Sequence, residues 1–122
     1  MLSTQESQQL LDIANAGCTK GHIVEARTIF HALLAQNPDL IPASIGLAFS
    51  HIVVNEFEEG ERLLRENILA AHPHDQDANL MLGLCQILAG NKVVAQEILR
   101  PLAQAGGNRA DLAATLLEQA QH

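Results

Sequence analysis

The chain has 122 residues with 14 acidic and 7 basic side chains, a formal charge of −7; 48% of it is hydrophobic and only 2% aromatic. That length suits one domain without a disulfide or metal staple, and the apolar share excludes a disordered tail. The acidic balance argues against sequence-independent nucleic-acid binding, which depends on Lys and Arg.

In chain order, the opening Met-Leu-Ser-Thr-Gln-Glu lacks the basic and apolar regions of a signal peptide. Ser3 with Glu6 instead forms the capping-box pattern of a first helix, carrying Leu10, Ile13 and Ala14 on one side. Gly21 ends that helix, and a second follows with Ile29, Leu33 and Leu34. Asn37-Pro38-Asp39 closes this hairpin, the Asp being placed to cap the third helix. The apolar run 41–54 is broken by Pro42, Ser44, Gly46, Ser50 and His51, so it falls short of the ~18 residues of a membrane span. Asn55 ends the third helix. The fourth carries Leu63, Leu64 and Ile68, and His72-Pro73-His74-Asp75 closes the second hairpin. A fifth helix with Leu80, Leu84, Ile87 and Leu88 ends at Gly90, and a sixth carries Val94, Ile98 and Leu102. Pro101 cannot donate to the Glu97 carbonyl and is expected to bend or shorten the sixth. Asn108 and Asp111 announce a seventh, with Leu112, Leu116 and Leu117 as its apolar stripe and Asp111, Glu118, Gln119 and Gln121 as a polar face.

These elements repeat. Ile13, Leu47 and Leu82 stand 34 and 35 residues apart, and Gly21, Asn55 and Gly90 keep the same offsets. So do the small residues Ala26, Gly60 and Ala95 and the large ones Phe30, Leu64 and Leu99. Pro73 alone is out of step, by one residue.

A period near 34, with Ile13-Ala14, Leu47-Ala48 or Leu82-Gly83 in the first helix and Ala26…Phe30, Gly60…Leu64 or Ala95…Leu99 in the second, resembles the tetratricopeptide repeat. The aromatic positions of the first helix depart from it, holding Leu10 and Gly17, Ser44 and His51, Asn79 and Gln86. The resemblance implies an all-α fold: a right-handed superhelical stack of three tetratricopeptide-like hairpins plus a C-terminal capping helix. Residues 1–122 would form a single domain, with repeats at about 7–40, 41–75 and 76–109 and the capping helix at about 109–120. On size and groove character the chain is also similar to the small tetratricopeptide-type chaperones of bacterial type III secretion that hold the needle subunit. That likeness implies a groove gripping an amphipathic helix of the needle protein, often with a small cochaperone.

In such a stack the first helix of each hairpin lines the concave side. Its candidate partner-binding residues are Leu11 in repeat one, Ile45, Phe49, Ile52 and Val53 in repeat two, and Leu80, Leu84, Ile87 and Leu88 in repeat three. The third helix also has Leu47, Ala48 and His51 on its packing side, and a helix apolar all round is normally buried all round. Left open, the face is a partner site fitting an amphipathic helix. The other outcome is that the end helix or a tight superhelix covers it. Lys, Arg and Asn are absent from this face except for Asn15, which argues against a clamp for terminal carboxylates.

No catalytic set emerges. His72 and His74 sit in a turn with no zinc-site spacing around them, so no metal site or cofactor is expected. His51 is expected to be a buried or half-buried side chain with one hydrogen bond, and His22 and His31 carry no partner pattern. Cys18 lies near a helix end that does not favour its thiolate, and Gly106-Gly107 lacks the lysine and spacing of a phosphate loop. Glu56, Glu58, Glu59 and Glu61 suit the positive end of a helix, as solvated side chains or a rim for a basic partner. Cys18 and Cys85 read as buried thiols of a reducing cytosol. The reading is therefore a cytoplasmic, non-enzymatic binding protein, a chaperone for an amphipathic helix or, alternatively, a structural adaptor or self-associating scaffold.

Overall fold

The computed structural model describes residues 2–121, and among them lie seven α-helices and no strand. They are α1 Thr4–Thr19, α2 Ile23–Gln36, α3 Ile41–Ile52, α4 Phe57–Leu64, α5 Gln76–Leu88, α6 Lys92–Ala105 and α7 Ala110–Gln121. The protein is all-helical, as the periodicity predicts. No helix among the described residues is long and apolar enough to cross a membrane.

The helix ends follow local chemistry. The Ser3 hydroxyl accepts from the Glu6 N–H at 3.1 Å and the Glu6 carboxylate accepts from the Ser3 N–H at 2.9 Å, completing the capping box. Asp75 caps α5, accepting from the Ala78 N–H at 2.8 Å. Asp39 does not cap α3: the N-cap is Leu40, which lacks a side-chain acceptor, and the Asn37 side-chain oxygen Oδ1 accepts from the Asp39 N–H at 3.2 Å. Pro42 stands in the first turn of α3, where its missing N–H would have no intrahelical partner anyway. Pro101 does not end α6, which runs on to Ala105.

The three turns inside the hairpins are one structure used three times. Gly21, Asn55 and Gly90 have φ of 87°, 66° and 88°, the left-handed region that glycine and asparagine enter most readily. Just beyond each, the backbone N–H of His22, Glu56 or Asn91 donates to the carbonyl of Gly17, His51 or Gln86 at 2.8, 2.9 and 2.8 Å.

Past Leu64 the fourth helix continues as a π-helical turn, Arg65–Leu69. A π-turn is one extra residue inserted into an α-helix. It lies between Leu64 and Pro73, the interval that is one residue longer than Phe30 to Pro38. The late proline is thus the sequence trace of the π-turn.

By contact density the chain divides into two compact units, Met1–Leu63 and Leu64–His122, each considered by itself. In the first, α1, α2 and α3 pack on one another around Leu11, Ala14, Cys18, Ala26, Phe30, Leu33, Leu47 and Ala48. The Phe30 ring fills the space beside Gly46, where a Cβ would overlap it. In the second, α6 packs on α5 and α7 around Ala95, Leu99 and Ala120, with Leu80, Ile87, Leu102, Leu116 and Leu117 against that cluster. Leu99 fills the space beside Gly83 in the same way. Leu112, expected in the apolar stripe of α7, is exposed instead.

Candidate partner-binding faces

The candidate residues fall on equivalent positions of successive first helices. One row runs Leu11, Asn15, Thr19 on α1; Ile45, Phe49, Val53 along α3 and its C-cap; and Leu80, Leu84, Leu88 on α5, each member 34 or 35 residues from its counterpart. Within each helix they stand four apart and share a face.

Burial falls along every row toward the C-terminal end. Leu11 is 3% exposed and belongs to the core, at the back of a cleft of about 510 Å³ that Leu2, Leu33, Leu40 and Pro42 also line. Ile45 and Phe49 are half-buried and Val53 is 37% exposed. Leu80 and Leu84 are half-buried and Leu88 is 53% exposed. Ile52 is 1% exposed and packs against Gly60, whose added Cβ would stand 2.8 Å from Ile52 Cγ1. Ile87, at the equivalent position of α5, is half-buried against the Leu99 cluster together with Leu80. Leu11 and Ile52 are therefore core side chains and offer no partner surface. Leu80 and Ile87 spend part of theirs on the cluster that α6 and α7 form around Leu99 and Ala120. Phe49 and Val53 in the first unit, and Leu84 and Leu88 in the second, keep apolar surface available.

Beside Val53 lies a polar cluster. Arg27 reaches from α2 to the C-terminal end of α3: Nε donates to Ser50 Oγ at 3.0 Å, and Nη2 donates to the Ser50 carbonyl at 3.3 Å and to Glu56 Oε1 at 2.8 Å. The same Nη2 is 3.1 Å from His51 Nδ1, which in turn is 3.0 Å from Glu56 Oε1. The Arg27 guanidinium first, and then the His51 ring, hold the Glu56 carboxyl below its ordinary value. Arg62 does the same for Glu59. Burial pushes the Cys18 thiol up, partly opposed by Arg27. An open cleft of about 590 Å³ adjoins the cluster, lined by Asn55, Glu56, Phe57, Glu58, Glu59 and Arg62.

His51 is half-buried, as expected, but it has two polar neighbours rather than one. The expected solvated glutamates are partly engaged, since Glu56 is tied to Arg27 and His51, and Glu59 to Arg62. Sequence reasoning had not singled out Arg27, because nothing local links it to a residue 24 positions away. A signal for the turn pair did exist. His51 and Glu56 occupy the same repeat positions as Gln86 and Asn91, whose side chains hydrogen bond at 2.9 Å. Cys18 and Cys85 are free and buried. Among the described residues no three His, Cys, Asp or Glu side chains converge as a metal site.

Fold and faces together define an all-helical protein of successive helical hairpins, with a partly exposed apolar strip on the first helix of the second and third. No protein-family model matches the chain, and no curated protein matches it.

Proposed function

We propose that the chain is a cytoplasmic, non-enzymatic binding protein that shields an amphipathic helix of a partner. The observation that carries this is the recurrence of exposed apolar surface at two repeat positions four residues apart. Phe49 on α3 with Val53 at its C-cap, and Leu84 and Leu88 on α5, stay partly or largely open where Asn15 and Thr19 of α1 are polar. Such surface is normally covered by a partner, and side chains four apart match the anchor spacing of an amphipathic helix. In this reading the hairpins are tetratricopeptide-like and stack in the right-handed sense the resemblance implies. The partners the resemblance suggests are the needle subunit of a bacterial type III secretion system and a small cochaperone.

The test is coexpression with the needle subunit of the same host. A soluble complex is expected from the unaltered chain. Val53→Asp and Leu88→Asp should each weaken capture at least tenfold while the far-ultraviolet helical signal is unchanged, since both positions are exposed. Capture that survives both changes excludes these strips as the binding surface.

One observation favours a self-associating scaffold as a second reading. Ile13 is 59% exposed, whereas its repeat equivalents Leu47 and Leu82 are buried. Light scattering on the isolated chain distinguishes the two: a stable oligomer that Ile13→Lys dissolves supports the scaffold, and a monomer refutes it.

A further inference from the structure

We infer that the apolar strip of Phe49, Val53 and Val54 takes an amphipathic helix that is basic, with a Lys or Arg seated over the cleft of Glu56, Glu58 and Glu59. The inference rests on the proposed function and adds the charge of the partner, which apolar burial alone leaves undetermined.

Strip and cleft are continuous along the chain. Val53 and Val54, 37% and 42% exposed, lead directly into Asn55, where the lining of the 590 Å³ cleft begins. Phe57 lines the same cleft and offers an apolar wall to the stem of a Lys or Arg side chain. One carboxylate there is in excess. Arg27 pairs with Glu56 and Arg62 with Glu59, whereas Glu58 has no such tie among the described residues. A cation carried in by a partner therefore meets an unmatched negative charge at Glu58.

Carboxylates in the first turn of a helix suit its dipole by themselves. The third hairpin shows that this turn does not require them. After Leu84 and Leu88 come Asn91, Lys92, Val93 and Val94, at the repeat positions of Glu56, Phe57, Glu58 and Glu59 and with the same backbone turn. Negative charge beside the strip is thus a property of the second hairpin and not of the fold.

A second copy of the chain suits this strip poorly. A two-fold contact centred on it would bring the two acidic clefts together, and like charges oppose association. A basic helix turns the same charge into an attraction and fixes which end of the helix lies at the turn.

The test uses the full chain and two synthetic helical peptides. Both carry leucines three and four apart, and they differ in one residue, Lys or Glu, placed one turn beyond the last leucine. Fluorescence anisotropy should show the Lys peptide binding at least about fivefold more tightly at low salt, with the gap narrowing as salt is added. Glu58→Lys should abolish or invert the preference and Glu58→Gln should reduce it, with helical content unchanged in both, since Glu58 is exposed. Glu118→Lys changes the net charge equally but lies outside the cleft lining, and should keep the preference. Equal binding, or tighter binding of the Glu peptide, that Val53→Asp abolishes overturns the basic partner and leaves the strip standing. A preference that persists in Glu58→Lys, or that Glu118→Lys also removes, overturns it as well. Binding of neither peptide, or a dimer in light scattering that Val53→Asp dissolves, overturns this inference together with the reading it rests on.

Discussion

The Phe30 ring on α2 lies over Gly46 on α3, in the place where a side chain at position 46 would begin. Phe30 is fully buried and is the largest such side chain, so the ring has little room to yield. Gly46→Ala should cost about 1–3 kcal/mol, the usual penalty of overpacking a filled core. Gly83→Ala should behave alike against Leu99. Gly17→Ala is the control, because its Cβ would meet only ordinary contacts from 3.6 Å outward. Gly17 lies within α1, where alanine outranks glycine by roughly 0.5–1 kcal/mol, so this change should be neutral or stabilising. Urea unfolding of the three variants measures the contrast, and equal losses at all three would contradict the packing account.

The π-turn makes a prediction about deletions. Removing the exposed Asn67 from Arg65–Leu69 should restore plain α-helix and leave residues on either side in register. The melting temperature should change by no more than a few degrees. Removing Glu61 from α4 places the loss ahead of the surplus residue: the stretch between the deletion and the π-turn rotates by about 100°, turning Leu63 and Leu64 away from their buried positions. A loss of at least ~3 kcal/mol is expected from exposing such side chains. Thermal melts of the two deletions, followed by circular dichroism, distinguish them.

The capping box offers a cleaner local test. Ser3→Ala removes the acceptor for the Glu6 N–H and should cost about 0.5–2 kcal/mol, concentrated at the start of α1. Asp75→Ala should do the same at α5. Amide exchange should show the first turn of the affected helix losing protection while the other helices keep theirs. Asp39→Ala, by contrast, should leave α3 intact, because Asp39 caps nothing.

Acid stability follows from three carboxyls. Glu6 is held below the ordinary glutamate value of 4.5 by the Ser3 N–H and then its hydroxyl, Glu56 by Arg27 and then His51, and Glu59 by Arg62. A carboxyl depressed in the folded state binds its proton more readily when unfolded. Its stabilising effect is present above 4.5 and is lost as pH falls through the lower folded-state value. The melting temperature should therefore hold steady with respect to these groups at neutral pH and decline below about pH 4.5. Glu6→Gln and Glu56→Gln should each make that decline shallower. A decline of unchanged steepness in both would show that other groups govern it.

Much of this fold was legible in the residues because the signals are local. Gly21, Asn55 and Gly90 mark left-handed turns, since few other residue types accept a positive φ. Ser3 with Glu6, and Asp75, mark helix starts, since their side chains reach backbone donors within one turn. Even the π-turn left its trace in the displaced Pro73. The residues Ala14, Ala48, Phe30, Leu64, Ala95 and Leu99 that mark the repeat are all buried.

What only the tertiary structure decided is which apolar side chain is covered and which polar ones meet. A helical period says that residues share a face, but not what lies against that face. The α3 helix is apolar all round, so its sequence alone could not tell Ile52, buried against Gly60, from Val53 beside it, which is exposed. Ile13 and Leu47 hold the same repeat position, yet one is open and the other buried, because burial belongs to the neighbouring element rather than to the residue. The meeting of Arg27 with His51 and Glu56 is of the same kind. The turn brings His51 and Glu56 within reach of each other, but only the packing of α2 on α3 delivers the guanidinium between them.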